Sequence, residues 1–367
     1  MKTFIISLFT LLCAVPLQMS AYEWGDVEVT INGLGYILNA KTMEAGFHAN
    51  QSQIPQEATK LIIPEEVEYE GKTYRVTGYL CNLFMPGMNN LKSLYLPSSI
   101  IYFSSSAFKE SYNLEEVHIT DLEAWCKIDF QSSPTWYARH LFLNEEEIVD
   151  LVIPEGVTSI SQDAFRRTYI KSITLPEGLE SIGDRTFSQC ENLTAITFPN
   201  SLKDIGYCAF TDCHGLKSVS FEGDVATLGE YAFSACSNLS TISIKGDIGE
   251  LKNGQFSRLP QIQNVYCYAE VPPVANATTF DSSPIESATL HVPQVAIENY
   301  KGSPGWENFG KIVNLENNPD GIEKVQEPAP NRPTLSRGAI FDLQGRRLMK
   351  VPERGLYIQD GKKVAIK

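Results

Sequence analysis

The apolar residues of this chain recur in a phrase of 22 to 24 residues rather than in a simple helix or strand period. The phrase reads "SITLPEGLESIGDRTFSQCENL" from Ser172, "AITFPNSLKDIGYCAFTDCHGL" from Ala195 and "SVSFEGDVATLGEYAFSACSNL" from Ser218. Phe187, Phe210, Phe233 and Phe256 are each 23 residues apart. A fixed period of this length marks a solenoid, in which no single repeat can bury its own apolar face and stacked neighbours share one core. Aligned on the phenylalanine, rungs fall at Phe84, Phe108, Phe165, Phe187, Phe210, Phe233, Phe256 and Phe280.

Each repeat has three parts. A short strand comes first, as in "LTAITFP", with Leu193, Ile196 and Phe198 inward. Proline often closes it (Pro64, Pro97, Pro154, Pro176, Pro199), where its missing N–H does least harm. An apolar pair ending in glycine follows, at Ile182-Gly183, Ile205-Gly206, Leu228-Gly229 and Ile248-Gly249. Glycine there is expected to supply a turn with positive φ. The segment around the phenylalanine is expected to form a helical turn. It ends in Asn-Leu at Asn90, Asn113, Asn192 and Asn238, and these asparagines are expected to bond the backbone of their own turn and stack as a ladder. That reading makes the sequons at Asn192, Asn238 and Asn276 structural.

The ends of a solenoid need caps. Residues 22–75 read as an N-terminal β cap, because "VEVTINGLGYILN" alternates apolar and polar positions around an Asn32-Gly33 hairpin turn. Residues 76–316 are the solenoid. The step from Phe108 to Phe165 is 57 residues, so an insertion is expected near 120–150, carrying Trp125, Trp136, Tyr137 and the acidic run Glu145-Glu146-Glu147. Residues 317–337 hold four prolines and read as a linker, and 338–367 form a small, basic β unit. At the start, Lys2, the apolar stretch Phe4 to Pro16 and Ser20-Ala21 give residues 1–21 the layout of a signal peptide. No segment is apolar for long enough to span a membrane comfortably, so no span is expected after signal cleavage.

Charge and cysteines then narrow the classes. The formal net charge is −14 and the repeats show no basic stripe, which argues against a nucleic-acid partner. Of eight cysteines, Cys13 falls in the signal, leaving an odd number. A complete disulfide framework is therefore not expected. Cys190, Cys213 and Cys236 each follow a repeat phenylalanine by three residues, where other rungs hold Gly87, Ser111, Thr168 and Leu259. That position reads as core filler. Cys267 replaces Leu175, Phe198, Phe221 and Ile244 of other strands. Cys208 and Cys213 lack the histidine or CxxC pair a metal site would need. No metal or other cofactor is expected.

The pattern "L..I.LP.g...Ig..aF..C..L" resembles the BspA-like leucine-rich repeats of Bacteroidetes bacteria, over about residues 60 to 315. "LEAWCKIDF" from Leu122 and "VYCYAEVPP…ATLHVPQVAIENYKGSPGWENFGKIVNL" from Val265 also match. The stretch from Val265 resembles the family's closing repeat and cap, with Phe280, Leu290, Val292, Tyr300, Trp306 and Phe309 sealing the core. The resemblance implies an α/β fold leaning to mainly β: a leucine-rich-repeat solenoid with an N-terminal β cap and a small C-terminal β segment. The last 30 residues, with "FDLQGRRL" and "RGLYIQDGKKVAIK", resemble a C-terminal sorting-type segment of exported Bacteroidetes proteins. In the type IX secretion pathway such segments direct export across the outer membrane, sometimes with surface attachment. The secretion machinery is thus an implied partner, and location at the outer cell surface or outside it is implied. For function the resemblance implies adhesion or recognition of extracellular proteins or glycans, and it marks no catalytic residue.

Candidate contacts follow from strand geometry, since the residue between the last two core positions points outward. That column reads Tyr95, His118, Val152, Thr174, Thr197, Ser220, Ser243 and Tyr266. A parallel column runs Lys92, Glu115, Lys171, Thr194, Lys217, Ser240 and Gln263. Small hydroxyl residues flanked by aromatics suit a shallow groove for an extended glycan or peptide, although threonine and serine also suit any exposed strand. Trp136 and Tyr137 are a second candidate: an exposed contact, or the means of packing the insertion onto the solenoid. A glycosidase needs two carboxylates about 5–10 Å apart in a cleft. Here the acidic residues sit in repeat-dependent or solvated contexts, and the five histidines join no motif. A non-enzymatic protein is expected, with a structural surface-layer or spacer role as the alternative to recognition, and a carbohydrate-active enzyme the least supported reading.

Overall fold

The computed structural model describes residues 27–48, 52, 54, 55, 57–80, 89–105, 107, 108, 111–251, 253–315 and the strands 340–341, 347–348, 355–359 and 362–366. The expected signal peptide at 1–21, the Phe84 rung and the linker at 317–337 lie outside the described residues.

The chain is a mainly β solenoid of about ten turns with a spacing near 23 residues. One column of strands holds Lys60–Ile62, Ser93–Tyr95, Glu116–Ile119 and His140–Leu143, then continues from Asp150–Val152 to Lys311–Asn314. Consecutive members pair in parallel, so Ile196, Val219, Ile242, Val265, Leu290 and Ile312 stand in one row. A second column holds two-residue strands such as Ser159–Ile160, Ser181–Ile182, Asp204–Ile205 and Thr227–Leu228. Its isoleucines and leucine face the same core.

The third corner of each rung is not a helical turn. Residues two before the phenylalanine have left-handed backbones (Asp163, Arg185, Cys208, Tyr231, Gly254), as do residues two after it (Arg167, Gln189, Asp212, Ala235, Arg258, Ser282). This alternation turns every second N–H toward the next rung. Arg185 N donates to Tyr207 O at 2.8 Å, Phe187 N to Ala209 O at 2.8 Å and Gln189 N to Thr211 O at 2.8 Å. A left-handed non-glycine residue costs on the order of 1 kcal/mol or more. Here the left-handed residues from Asp163 to Arg258 other than glycine each donate a backbone hydrogen bond to the next rung, which a helix would have closed within its own turn.

The phenylalanines stack through this corner. Successive centroids lie 5.4 Å apart for Phe165–Phe187, 5.2 Å for Phe187–Phe210, 5.1 Å for Phe210–Phe233 and 5.7 Å for Phe233–Phe256, with planes within 17° of parallel. All are fully buried. Such ring pairs contribute about 0.5–1.5 kcal/mol each beyond their burial.

The repeat glycines have a different role from the expected one. Gly183, Gly206 and Gly229 do not adopt positive φ; only Gly249 of that position does, at 64°. They are glycine because rungs touch there. A Cβ on Gly206 would lie 2.5 Å from Asp184 N, and one on Gly229 would lie 2.4 Å from the Gly206 carbonyl carbon.

Asn113 and Asn238 likewise bond between rungs rather than within their own turn. Asn113 Nδ2 donates to Asn89 O at 2.5 Å and Asn238 Nδ2 to His214 O at 2.6 Å. The cysteine position has a matching logic. Cys190, Cys213 and Cys236 are buried free thiols whose Sγ atoms donate to the carbonyls of Phe165, Phe187 and Phe210 at 3.1–3.2 Å. Ser283 repeats the bond to Phe256 O at 2.9 Å. At these four rungs a small donor side chain reaches the preceding phenylalanine's carbonyl, whereas Leu259 fills the same position as an apolar residue.

Most of the segment near 120–150 is itself a rung. Asp129–Phe130 pairs in parallel with Tyr102–Phe103, and His140–Leu143 with Glu116–Ile119. Its turn lacks the marker phenylalanine, so a phenylalanine-based register skips it. Trp125 and Phe130 fill the core instead, 4.9 Å apart, and Trp125 Nε1 donates to Ala164 O at 3.0 Å. The true excess is a hairpin in which Leu143 pairs with Glu146 around Asn144 and Glu145, both left-handed.

At the start, Val27–Ile31 and Leu34–Asn39 form the hairpin expected around Asn32-Gly33, with φ of 51° and 80°. The solenoid begins earlier than residue 76, since Lys60–Ile62 already pairs in parallel with Ser93–Tyr95. At the other end, Phe280, Tyr300, Trp306 and Phe309 form a buried aromatic cluster. Trp306 Nε1 donates to Pro273 O at 2.8 Å, tying the closing segment to the last rungs. The strands Ile340–Phe341, Arg347–Leu348, Gly355–Gln359 and Lys362–Ile366 form an antiparallel sheet of their own.

These contacts set two expectations. Gly229→Ala should lower stability by about 1–3 kcal/mol, the cost of overpacking. Gly178→Ala, whose nearest outside atom would lie 3.8 Å away, should change it by less than about 0.5 kcal/mol. Urea titration of both variants reads the contrast, and equal effects would refute the close-approach account. Second, burial pushes the thiols of Cys126, Cys190, Cys213 and Cys267 above their ordinary range. Groups raised in the folded state stabilise it fully below the unfolded thiol pKa, about 8.5, and lose that contribution as pH climbs beyond it. The urea midpoint should fall steadily from about pH 8.5 to 10.5, and a flat profile would contradict the assignment. Iodoacetamide mapping should find half-buried Cys208 modified before the buried thiols.

Candidate binding face

Strand register places the outward residues in one line. Ile62, Tyr95, His118 and Phe142 are cross-strand partners in sequence. Val152 partners Thr174, and Thr197, Ser220, Ser243, Tyr266, His291 and Val313 complete the line. The hairpin at Asn144-Glu145 interrupts it between Phe142 and Val152.

The two ends of this line are ring stacks. Tyr95 lies on His118 at 4.0 Å and 8°, and His118 on Phe142 at 4.5 Å and 10°. Lys60 Nζ caps the stack 3.7 Å above the Tyr95 ring. At the other end Tyr266 lies on His291 at 4.3 Å and 14°. Because each ring covers its neighbour's face, His118 is only 7% exposed and Tyr266 6%. They point outward as expected, yet they do not offer open ring faces. Phe142 and His291 belong to these stacks and were missed in the sequence. The first lies in a rung without the marker phenylalanine, and the second lies in the closing repeat.

Carboxylates surround the first stack. His118 Nε2 is 3.3 Å from Glu116 Oε2, and its Nδ1 is 3.4 Å from Glu145 Oε2 at the hairpin tip. The Ser93 hydroxyl, 2.7 Å from Glu116, together with His118 holds the Glu116 carboxyl below its usual range. His140 Nδ1 pairs with Glu147 at 2.5 Å. Among the described residues no group of three or more histidine, cysteine or acidic side chains is placed to hold a metal ion.

Between the stacks the surface is open. Val152, Thr174 and Thr197 are exposed, and Ser220 and Ser243 half-exposed. The neighbouring column of Lys171, Thr194 and Lys217 is also exposed. Rung-to-rung ion pairs such as Lys92–Glu115 at 3.1 Å and Lys203–Glu180 at 2.9 Å lace the surface. Exposed pairs of this kind contribute little to stability.

Trp136 and Tyr137 lie apart from this face, at the corner before His140. Trp136 is 38% exposed, with the Arg166 guanidinium 3.9 Å and that of Arg167 5.3 Å from its ring centroid. Tyr137 is partly buried against the core and meets Tyr112 edge-on at 5.8 Å. Trp136 is thus partly exposed, and Tyr137 is chiefly packing.

The repeat architecture has counterparts among known proteins. The family model of the BspA type leucine rich repeat region matches residues 82–193 and 158–286, in six copies, and the chain belongs to this family. Among solved structures, it is similar to a leucine rich cell surface protein from Faecalibacterium prausnitzii. That match has 18% identity and a TM-score of 0.39, and covers 79% of this chain and 95% of that one. It is similar to the pneumococcal vaccine antigen PcpA at 16% identity and a TM-score of 0.44, covering 79% and 99%. It is also similar to a leucine-rich repeat protein from Bacteroides ovatus at 18% identity and a TM-score of 0.40, covering 78% and 88%. No curated protein matches. No helix among the described residues is long and apolar enough to cross a membrane.

Proposed function

We propose that this protein is an exported, non-enzymatic recognition module that binds an extracellular protein or glycan through its outer strand face. The observation that carries the reading is the open line Val152, Thr174, Thr197, Ser220 and Ser243, bounded at both ends by ring stacks. Hydroxyls on successive rungs about 4.8 Å apart offer an extended ligand one hydrogen-bonding contact per repeat. The stacks fix the walls of this strip rather than serving as platforms. Family membership supports the repeat scaffold as a display surface, since solenoids present extended faces for binding. Export rests on the signal-like residues 1–21, and surface delivery through a secretion machinery rests on the sorting-type segment 338–367.

The test is an array of host glycans and matrix proteins probed with the mature chain. The triple variant Thr174→Glu, Thr197→Glu and Ser220→Glu should weaken capture at least tenfold while leaving the urea midpoint nearly unchanged. Tyr266→Ala is a poor probe, because removing a ring that is 6% exposed disturbs packing. Undiminished capture by the triple variant would sink the strand-face reading, and self-assembly without saturable capture would favour a spacer role. In cells, loss of residues 338–367 should reduce surface-exposed protein in fractionation, and equal surface levels would refute the sorting role.

A further inference from the structure

The strand face does not use the arginine cluster at the corner around Trp136. Arg166 and Arg167 both lie over the Trp136 ring, at 3.9 and 5.3 Å from guanidinium carbon to ring centroid. Arg185 grips Asp163 with two bonds, Nε to Oδ1 at 3.1 Å and Nη2 to Oδ2 at 2.9 Å. Arg166 Nη1 shares the same Oδ1 at 3.2 Å. One carboxylate therefore serves two guanidinium groups. Arg167 forms no ion pair among the described residues, and its Nε is buried without a hydrogen-bond partner. Nearby Arg139 pairs with Glu191 at 3.4 Å. These four arginines outnumber their partner carboxylates, Asp163 and Glu191, by two, in a chain whose net charge is −14.

The cations here are all arginine. A guanidinium beside an indole can present its two terminal nitrogens to a carboxylate in a two-bond fork, which a lysine cannot do. Arg166 has only 17% of its side chain exposed and already gives Nη1 to Asp163, so Arg167 is the residue that can offer the fork. The neighbouring Tyr112 is 71% exposed and packs edge-on against Tyr137. Exposed tryptophan and tyrosine beside arginine, without lysine, is the composition enriched in protein–protein contacts. A neutral sugar would need a free ring face, and the Trp136 ring has arginine over it.

We infer that this corner is a second contact surface, whose partner is an acidic protein segment docking a carboxylate on the terminal nitrogens of Arg167 and an apolar side chain against Tyr112, with the covered Arg166 adding charge behind them. Trp136 positions the two guanidinium groups, and Asp163 fixes Arg166 and Arg185 at the spacing of adjacent rungs. The surface is separate from the strand face, so each stands or falls alone.

The experiment uses the full mature chain and two labelled peptides, four repeats of Glu-Leu-Glu and the matching Gln-Leu-Gln, followed by fluorescence anisotropy. Saturable binding of the glutamate peptide is expected, at least tenfold tighter than the glutamine peptide and weakening as salt rises. Arg167→Gln, which removes no ion pair, should cost at least fivefold with an unchanged urea midpoint. Arg167→Lys keeps the charge but loses the fork, and should still cost at least threefold. Lys203→Gln with Lys217→Gln removes equal charge elsewhere and should change binding less than twofold. The strand-face triple variant should leave peptide binding intact. Absence of saturable peptide binding overturns the inference. So does an equal loss in the Lys203 and Lys217 control, or Arg167-dependent binding of heparin but not of the peptide.

Discussion

The distance between rungs is the constraint on which this structure depends. Parallel strands hold neighbours about 4.8 Å apart, and every other column must accept that spacing. At the phenylalanine corner the rings meet it by lying flat on one another, 5.1–5.8 Å between centroids. At the second corner glycine meets it by having no Cβ, because a methyl group there would lie about 2.4–2.6 Å from the preceding rung's backbone. The backbone of the turn meets it by alternating handedness, so that N–H groups leave the rung instead of closing a helix. Each of these features makes sense only between rungs, and an isolated repeat would contain almost none of them.

The same spacing governs the surface. Outward residues on adjacent strands are brought face to face, so aromatic residues in that line stack and hide their faces. Tyr95, His118 and Phe142 do so, as do Tyr266 and His291. Small hydroxyl residues in the same line cannot cover one another and stay accessible. A column that reads as polar strand surface flanked by large contact residues thereby becomes an open strip with closed ends. Accessible aromatic surface lies elsewhere, at the corner where Trp136 meets two arginines and Tyr112 stands out from the chain, and at Tyr207, Tyr231 and Tyr268.

Departures from the period mark the places where the molecule is individual. Trp125 and Phe130 rebuild the core of a rung that lacks its phenylalanine, and the hairpin beyond it splits the strand column in two. The acidic tip of that hairpin lies beside His118, while the arginine cluster lies one corner away. Opposite charges, Trp136 and Tyr112 thus gather around one irregular turn, while the regular rungs that follow present hydroxyls on the strand face and exposed tyrosines at Tyr207, Tyr231 and Tyr268.

The amino-acid sequence by itself determined the solenoid, its period, the inward strand residues and the hairpin at Asn32-Gly33, while the closing aromatic cluster was legible only through the family resemblance. The first three follow from burial patterns local to one repeat and its copies, and the hairpin from strand alternation around an Asn-Gly turn. It also placed Cys190, Cys213, Cys236 and Cys267 in the core, because small or apolar residues take their positions in other rungs. Tertiary structure alone decided why the glycines are glycine, how the turn is wound and where the asparagines bond, since those answers lie on the next or preceding rung. It also decided that His118 and Tyr266 are covered while Thr174 and Thr197 are open, because exposure on a stacked face depends on a residue's neighbours about 23 positions away. The rung within 120–150 stayed hidden for a related reason: its core is filled by Trp125 and Phe130 reaching in from other positions, which a one-residue marker cannot register.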